Sequence, residues 1–341
     1  MNKIDKSNLR QVIIDFPDQF KEGLSLAKNI KLEGKFKNVT VSGMGGSALP
    51  ANLLRIYCSD LFERNINHNF FEIIINRYYS IPPESIRYDN LNFVMSYSGN
   101  TEETISSLEQ INKKENPFIC FASGGKLEEL SKKYKMPFIK LPIPNPAFQP
   151  RMGTGYFFGA MIQVLINQGL MPDVSNEITL QAEKLKINMN KRENEGKKIS
   201  SMIKGKTPVI YASSKYKSVA MIWKIKINEN SKTPAFWNFL PEADHNEMVG
   251  FTNPQGKFFI IMLRDSKDDS RNLKRFEATA GIIKEKDTES YIVNMEGETV
   301  FEKIFESISL ADWTSYYLAL EYRQDPTPVD LVEKLKKILA S

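Results

Sequence analysis

Two segments rich in glycine and hydroxyl side chains, Gly43-Met44-Gly45-Gly46-Ser47 and Ser96-Tyr97-Ser98-Gly99-Asn100-Thr101, each follow a short apolar run and precede a stretch of helical pattern. That arrangement suits an anion. Glycines let backbone N–H groups approach closely, and a helix N-terminus adds the positive end of its dipole. The hydroxyls of Ser47, Ser96, Ser98 and Thr101 can donate further hydrogen bonds. No Gly-Lys-Ser/Thr closes either segment, and the third glycine of a dinucleotide fingerprint is missing, so neither nucleotide motif fits. Either segment alone reads equally well as a tight turn with a helix cap. Two of them on neighbouring strands predict a phosphate without a nucleotide, for which a sugar phosphate is the simplest ligand.

Candidates for moving protons are few. Glu229 follows Ile222 and Ile225 on one helical stripe, in a helix that is apolar on most sides. A carboxylate there is either partly desolvated and suited to proton abstraction, or a helix-end group reaching water beside Asn228 and Asn230. His245 lies in the polar run Glu242-Ala243-Asp244-His245-Asn246-Glu247 and is either an acid–base group or a solvated loop residue. His68, in Asn67-His68-Asn69, reads as the latter. Lys334 and Lys336 flank the apolar stripe of Leu331, Leu335 and Ile338 about equally, so periodicity does not choose between them. Arg151 either reaches a substrate oxygen or caps the proline-rich segment before it. With only two histidines and two cysteines, Cys58 and Cys120, a His-rich metal centre, a Cys-based zinc site and a disulfide framework are all excluded.

Short apolar strands alternating with helices must carry these residues, which predicts βαβ units and parallel sheets. Strands are expected at Val39–Ser42, Phe71–Ile75, Leu91–Met95, Phe118–Phe121, Pro208–Ala212, Phe258–Leu263 and Tyr291–Val293. One helical stretch is expected near Leu9–Ile30, with others at Ala48–Tyr57, from Glu102, after Gly125, at Gly155–Asn167, Glu177–Asn190 and Ser218–Asn228, between the last two strands, at Phe301–Tyr322 and, last, at Val329–Leu339. Pro142, Pro144, Pro146 and Pro150 cannot continue a helix or a central strand and read as a linker. The expected organisation is an N-terminal helical segment (1–35), a first α/β domain (36–150), connecting helices (151–206), a second α/β domain (207–325) and a closing C-terminal helix (326–341). The lysine-heavy stretch from Asp173 to Lys206 carries no assignable role.

At 341 residues the chain is long enough for two domains with real cores. The balance of 41% apolar and 26% charged residues is that of a globular protein, and no window is apolar enough for a membrane span. No secretory pattern opens the chain, which predicts a cytoplasmic protein. The net charge of +5 is spread without a basic block, so neither nucleic acid nor a membrane is an expected partner.

The ordered set of motifs resembles the sugar-isomerase (SIS) domain family and, more narrowly, its bifunctional phosphoglucose/phosphomannose isomerases. The resemblance rests on Gly43–Ser47, Ser96–Thr104, Ser123–Leu127, Gln149-Pro150-Arg151, Asn228–Lys232, Leu240–Glu247 and Asp325-Pro326-Thr327-Pro328-Val329-Asp330. It implies two SIS-type subdomains, each a mainly parallel sheet flanked by helices in an αβα sandwich. It also implies an aldose–ketose isomerase that uses neither metal nor cofactor and acts on sugar 6-phosphates through a cis-enediol(ate). By resemblance Gly45, Gly46, Ser47, Ser96, Ser98 and Thr101 hold the phosphate, Glu229 is the base and Arg151 stabilises the enediolate. His245 and Lys334 assist ring opening, and Thr327 leaves room for both configurations at C2. The family supplies its histidine across a subunit interface, implying a homodimer. Ala48 and Ala122 depart from the family pattern, where glycine and threonine are frequent, without removing a ligand. A non-catalytic sugar-phosphate sensor would be expected to lack the base or the histidine. An amidotransferase-linked isomerase would be expected to carry a glutaminase domain.

Overall fold

The computed structural model describes residues 3–64 and 70–339; His68 lies outside them. The first half of the chain forms α1 (Leu9–Ile14), α2 (Asp18–Leu26), β1 (Asn38–Gly43), α3 (Gly45–Arg64), β2 (Glu72–Asn76), β3 (Asn90–Met95), α4 (Glu102–Lys113), β4 (Phe118–Ala122), α5 (Gly125–Tyr134), β5 (Phe138–Lys140) and α6 (Thr154–Asn167). After α7 (Ser175–Ile203) come β6 (Thr207–Ser213), α8 (Lys217–Ser231), β7 (Phe236–Leu240), β8 (Phe258–Arg264), α9 (Ser270–Lys284), β9 (Glu289–Asn294), α10 (Val300–Glu321) and α11 (Asp330–Leu339).

These elements divide into two compact units, one spanning Asp15–Lys186 and the other combining residues up to Ile14 with those from Ile187 on. The proline-rich segment after β5 lies inside the first unit. The single helix expected over Leu9–Ile30 is two, α1 and α2, interrupted just before Pro17, which lacks the N–H needed to continue a helix.

The unit Asp15–Lys186 is built on a parallel sheet ordered β2-β1-β3-β4-β5. Strands β3 and β4 are buried along their whole length, and β4 reads as an unbroken apolar run. Strand β3 also buries Asn90 and Asn92, which are satisfied by Asn90 Nδ2 donating to Asn92 Oδ1 (3.1 Å) and Asn92 Nδ2 donating to the Ser85 carbonyl (3.0 Å). The other unit carries a parallel sheet ordered β7-β6-β8-β9. Both orders reverse direction once, between β1 and β3 in the first sheet and between β6 and β8 in the second. A crevice at the strand C-termini is expected at each reversal.

Right-handed crossovers place α8 on one face of the second sheet and α9 on the other. Phe276 and Ile283 of α9 pack with Val209, Tyr211 and Met262. On the opposite face α8 is fastened to α10 by a polar ladder: Trp223 Nε1 donates to Ser307 Oγ (3.0 Å), Lys226 pairs with Asp312 (2.7 Å) and Asn230 Nδ2 donates to Ser315 Oγ (2.9 Å). The segment 173–206 becomes α7, where buried Arg192 donates from Nε to Glu306 (2.6 Å) on α10. Its role there is structural.

Helix α1 joins this same unit. Asp5 caps it by accepting from the Leu9 (2.7 Å) and Arg10 (3.0 Å) amides, and Arg10 donates to both carboxylate oxygens of Glu193. Strands β5 and β7 are absent from the sequence expectation. The first has three residues, and the second is a sheet edge in which only Leu240 is buried. Neither produces a sustained apolar run. No helix among the described residues is long and apolar enough to cross a membrane.

Candidate active site

In the unit Asp15–Lys186 the two glycine–hydroxyl segments close the C-terminal ends of β1 and β3, on either side of the reversal in strand order. The first becomes the N-terminus of α3, with Gly45 in the left-handed region (φ +48°). The second caps α4. Ser47 Oγ accepts from the Tyr97 amide (2.9 Å), so one loop is tied to the other and the Ser47 hydroxyl proton stays available for an anion. Ser96 Oγ shares a hydrogen bond with Thr101 Oγ1 (2.8 Å) and accepts from the Gly99 amide (3.1 Å). Ser98 is exposed, and its Oγ accepts from the Asn100 amide (3.3 Å).

Tyr97 is the joint between three loops. Its carbonyl accepts from Ser123 N (2.8 Å) and Oγ (2.7 Å) after β4, and its hydroxyl donates to the Pro142 carbonyl (2.6 Å). Burial pushes its phenol upward from its ordinary value. Gly99 (φ +72°) lies so close to the Gly124 carbonyl that a Cβ would come within 1.8 Å of it. Only glycine fits there.

Arg151 is 1% exposed, in the short turn that follows the prolines, and its backbone lies against the start of α3. A Cβ on Gly46 would meet the Arg151 amide nitrogen at 2.5 Å. Gly45, Gly46, Ser47, Ser96, Ser98, Thr101 and Arg151 are thus gathered around two adjoining loops.

The remaining candidates belong to the other unit and stand on separate elements. Glu229 is half-buried, one residue before the Asn230 rung of the α8–α10 ladder. Lys232 closes that helix in the left-handed region and donates from Nζ to the Glu229 carbonyl (2.7 Å). His245 is exposed on a 3-10 turn after β7. The turn is anchored by its neighbours: Asp244 accepts from Arg275 (2.9 Å) and Thr279 (2.8 Å) of α9, and Glu247 accepts from Tyr211 (2.8 Å) and Asn238. His245 therefore lies on the α9 face of the sheet and Glu229 on the α8 face. The structure does not bring the two together within one chain.

Thr327 is buried in the connection to α11. Lys334 is exposed on α11, and so are Leu331, Leu335 and Ile338, the stripe that periodicity alone would assign to a core. Sequence reasoning missed Tyr97 as the joint and Lys226–Asp312 as the brace beneath Glu229. A lysine at a buried helix position carries no periodic signal, and Tyr97 is masked by the serines beside it. Among the described residues no group of three or more His, Cys, Asp or Glu side chains could hold a metal ion.

Two parallel-sheet units, the first with paired hydroxyl-bearing helix N-termini at its strand reversal, define the SIS-domain fold. A solved structure described as a putative phosphosugar isomerase from Clostridium difficile 630 superposes with a TM-score of 0.71 at 13% identity, covering 94% of this chain and 94% of that one. Residues 192–339 match the model of the bacterial phospho-glucose isomerase C-terminal SIS domain. The bifunctional phosphoglucose/phosphomannose isomerase of Caldicellulosiruptor bescii is 33% identical over 96% of this chain and 98% of its own length. That of Aquifex aeolicus is also 33% identical, over 96% of this chain and 97% of its own. The chain belongs to the family of bifunctional phosphoglucose/phosphomannose isomerases, and it is an isomerase.

Proposed function

We propose that this enzyme interconverts glucose 6-phosphate and mannose 6-phosphate with fructose 6-phosphate, by ring opening followed by proton transfer through a cis-enediol(ate), without a metal. The observation that carries this reading is the pair of loops joined through Ser47 and Tyr97, which present hydroxyls and helix N-termini to one anion. Gly45, Gly46, Ser47, Ser96, Ser98 and Thr101 hold the phosphate. Glu229 removes the proton from C2 of the open aldose and returns it to C1, with the reverse in the other direction. Arg151 faces the negative charge that develops on the enediolate oxygens.

His245 and Lys334 exchange protons with the ring oxygen and the C1 hydroxyl as the ring opens, and Thr327 leaves space for either configuration at C2. The working form is a cytoplasmic homodimer in which His245 serves the site of the other copy. Two observations support this: Glu229 and His245 of one chain occupy opposite faces of a sheet, and Phe236 (55% exposed) and Val249 (68% exposed) flank the His245 turn with uncovered apolar surface.

The test uses purified enzyme with fructose 6-phosphate, scoring glucose 6-phosphate and mannose 6-phosphate separately in the presence of a chelator. Both products at comparable rates are expected. Glucose 6-phosphate alone would remove the role of Thr327, and tight binding without turnover would make the protein a sensor.

A further inference from the structure

The second sheet reverses its strand order between β6 and β8 just as the first does between β1 and β3, yet the two crevices are filled differently. The residue after the last paired position of β3 is Ser96, and after the last paired position of β8 it is Asp265. The loop that follows β8, Asp265-Ser266-Lys267-Asp268-Asp269, has three carboxylates and no glycine.

Asp265 is 2% exposed, and three kinds of donor converge on it. Oδ1 accepts from the ammonium of Lys303, itself 3% exposed in the first turns of α10, and from the Lys267 amide (2.9 Å). Oδ2 accepts from the Tyr216 hydroxyl (2.8 Å), just past the end of β6. Ser213, the last residue of β6, donates to Asp268 (2.9 Å) and closes the rim. A cation, a backbone amide and a hydroxyl are the donors that a free oxyanion would recruit at a strand reversal.

We infer that the second crevice is an anion site whose permanent occupant is the chain's own Asp265 carboxylate. It follows that free phosphate is excluded there, and that removing this carboxylate opens a site for a small external anion on Lys303. This inference does not depend on where the substrate phosphate binds, because its readout is stability rather than turnover.

The experiment follows the thermal unfolding of the wild-type protein, Asp265→Ala and Asp265→Ala/Lys303→Met as sodium formate is added, with sodium chloride at equal ionic strength as the control. Formate supplies the missing carboxylate. The expected result is a lower Tm for Asp265→Ala that climbs by about 2–4 °C or more with formate and not with chloride. Wild type should stay flat, and the response should vanish in the double variant, which has no buried ammonium to neutralise. If Asp265→Ala fails to fold in chloride, formate should restore folding. Equal formate responses in wild type and Asp265→Ala, a response that survives Lys303→Met, or a variant that stays unfolded at every formate concentration would each overturn the inference.

Discussion

Glu229 and His245 lie on opposite faces of the same four-stranded sheet, Glu229 on α8 and His245 on a turn that Asp244 ties to Arg275 and Thr279 of α9. If both serve one substrate, two chains must combine to make the site. Glu229→Gln and His245→Ala should then each lower kcat by about 100-fold or more. Mixing the two inactive proteins under conditions of subunit exchange should restore activity to about a quarter of wild type, because half of the random dimers carry one intact site. Mixtures no more active than either parent would place both residues in the service of one chain.

The brace behind Glu229 should matter for its placement. Lys226 and Asp312, each 1% exposed, form a buried ion pair one helical turn from Glu229. Removing one partner strands a charge, so Lys226→Met is expected to cost about 3–5 kcal/mol, whereas the apolar pair Lys226→Met/Asp312→Leu should recover most of it. Urea unfolding of the three proteins measures both. The double variant should still turn over slowly, since stability returns without the rung that positions Glu229.

Gly46→Ala probes the junction with Arg151. The added methyl would sit 2.5 Å from the Arg151 amide nitrogen, a backbone atom that cannot rotate away. Either α3 or the Arg151 turn has to move, at a cost of about 1–3 kcal/mol, and both are expected at the reacting sugar. A fall in kcat/KM larger than the fall in stability would explain is the expected signature. Unchanged kinetics would disconnect the turn from catalysis.

Acid should loosen the second unit through Asp265. Burial alone would raise its carboxyl, but hydrogen bonds from Lys303, the Lys267 amide and Tyr216 outweigh burial and hold it below the ordinary value. A group depressed in the folded state stabilises the fold above its unfolded value, near about 4, and loses that contribution as pH falls through the folded one. Stability measured by urea unfolding should therefore decline below about pH 4, and Asp265→Asn should be weaker at pH 7 with a shallower decline. Asp268 has the opposite sign, because burial raises it. Its ionisation opposes folding, so Asp268→Asn should lose less than Asp265→Asn at neutral pH.

Cys58 and Cys120 are both buried, and burial pushes both thiols well above their usual range. Thiolate is the reactive form, so neither should react with an aromatic disulfide reagent over minutes in the native protein, and both should react at once in denaturant. Rapid native labelling of either thiol would contradict the packing described around α3 and β4.

Much of this architecture is legible in the sequence, for identifiable reasons. The central strands β1, β3, β4, β6 and β8 are buried by helices on both sides and are rich in apolar and β-branched residues, so their existence is legible from local composition and their parallel pairing from their alternation with helices. The loops around Gly45 and Ser96 are legible because glycine and hydroxyl residues between a strand and a helix have a direct electrostatic meaning. Strands β5 and β7 are not: β5 has three residues and Asn238 interrupts β7, whereas the other edge strands, β2 and β9, keep three consecutive apolar residues and are legible. The rung beside Glu229, Asn230 to Ser315, depends on a partner contributed by α10, some eighty residues away, which local pattern does not encode. The attachment of α1 is equally hidden, because Arg10 and Glu193 are 183 positions apart.

That attachment sets an order of completion. Asp5 and Arg10 leave the ribosome well before their partners, because the Glu193 carboxylate and the Trp313 ring that receive Arg10 lie 183 and 303 positions further along. The unit Asp15–Lys186 can close meanwhile from its own residues. The unit begun earliest is thus finished last, and its opening segment must stay unengaged for many seconds at ordinary rates of synthesis. A bulky fusion ahead of Asp5 would consequently burden the later half of the molecule, leaving the adjacent half to assemble undisturbed.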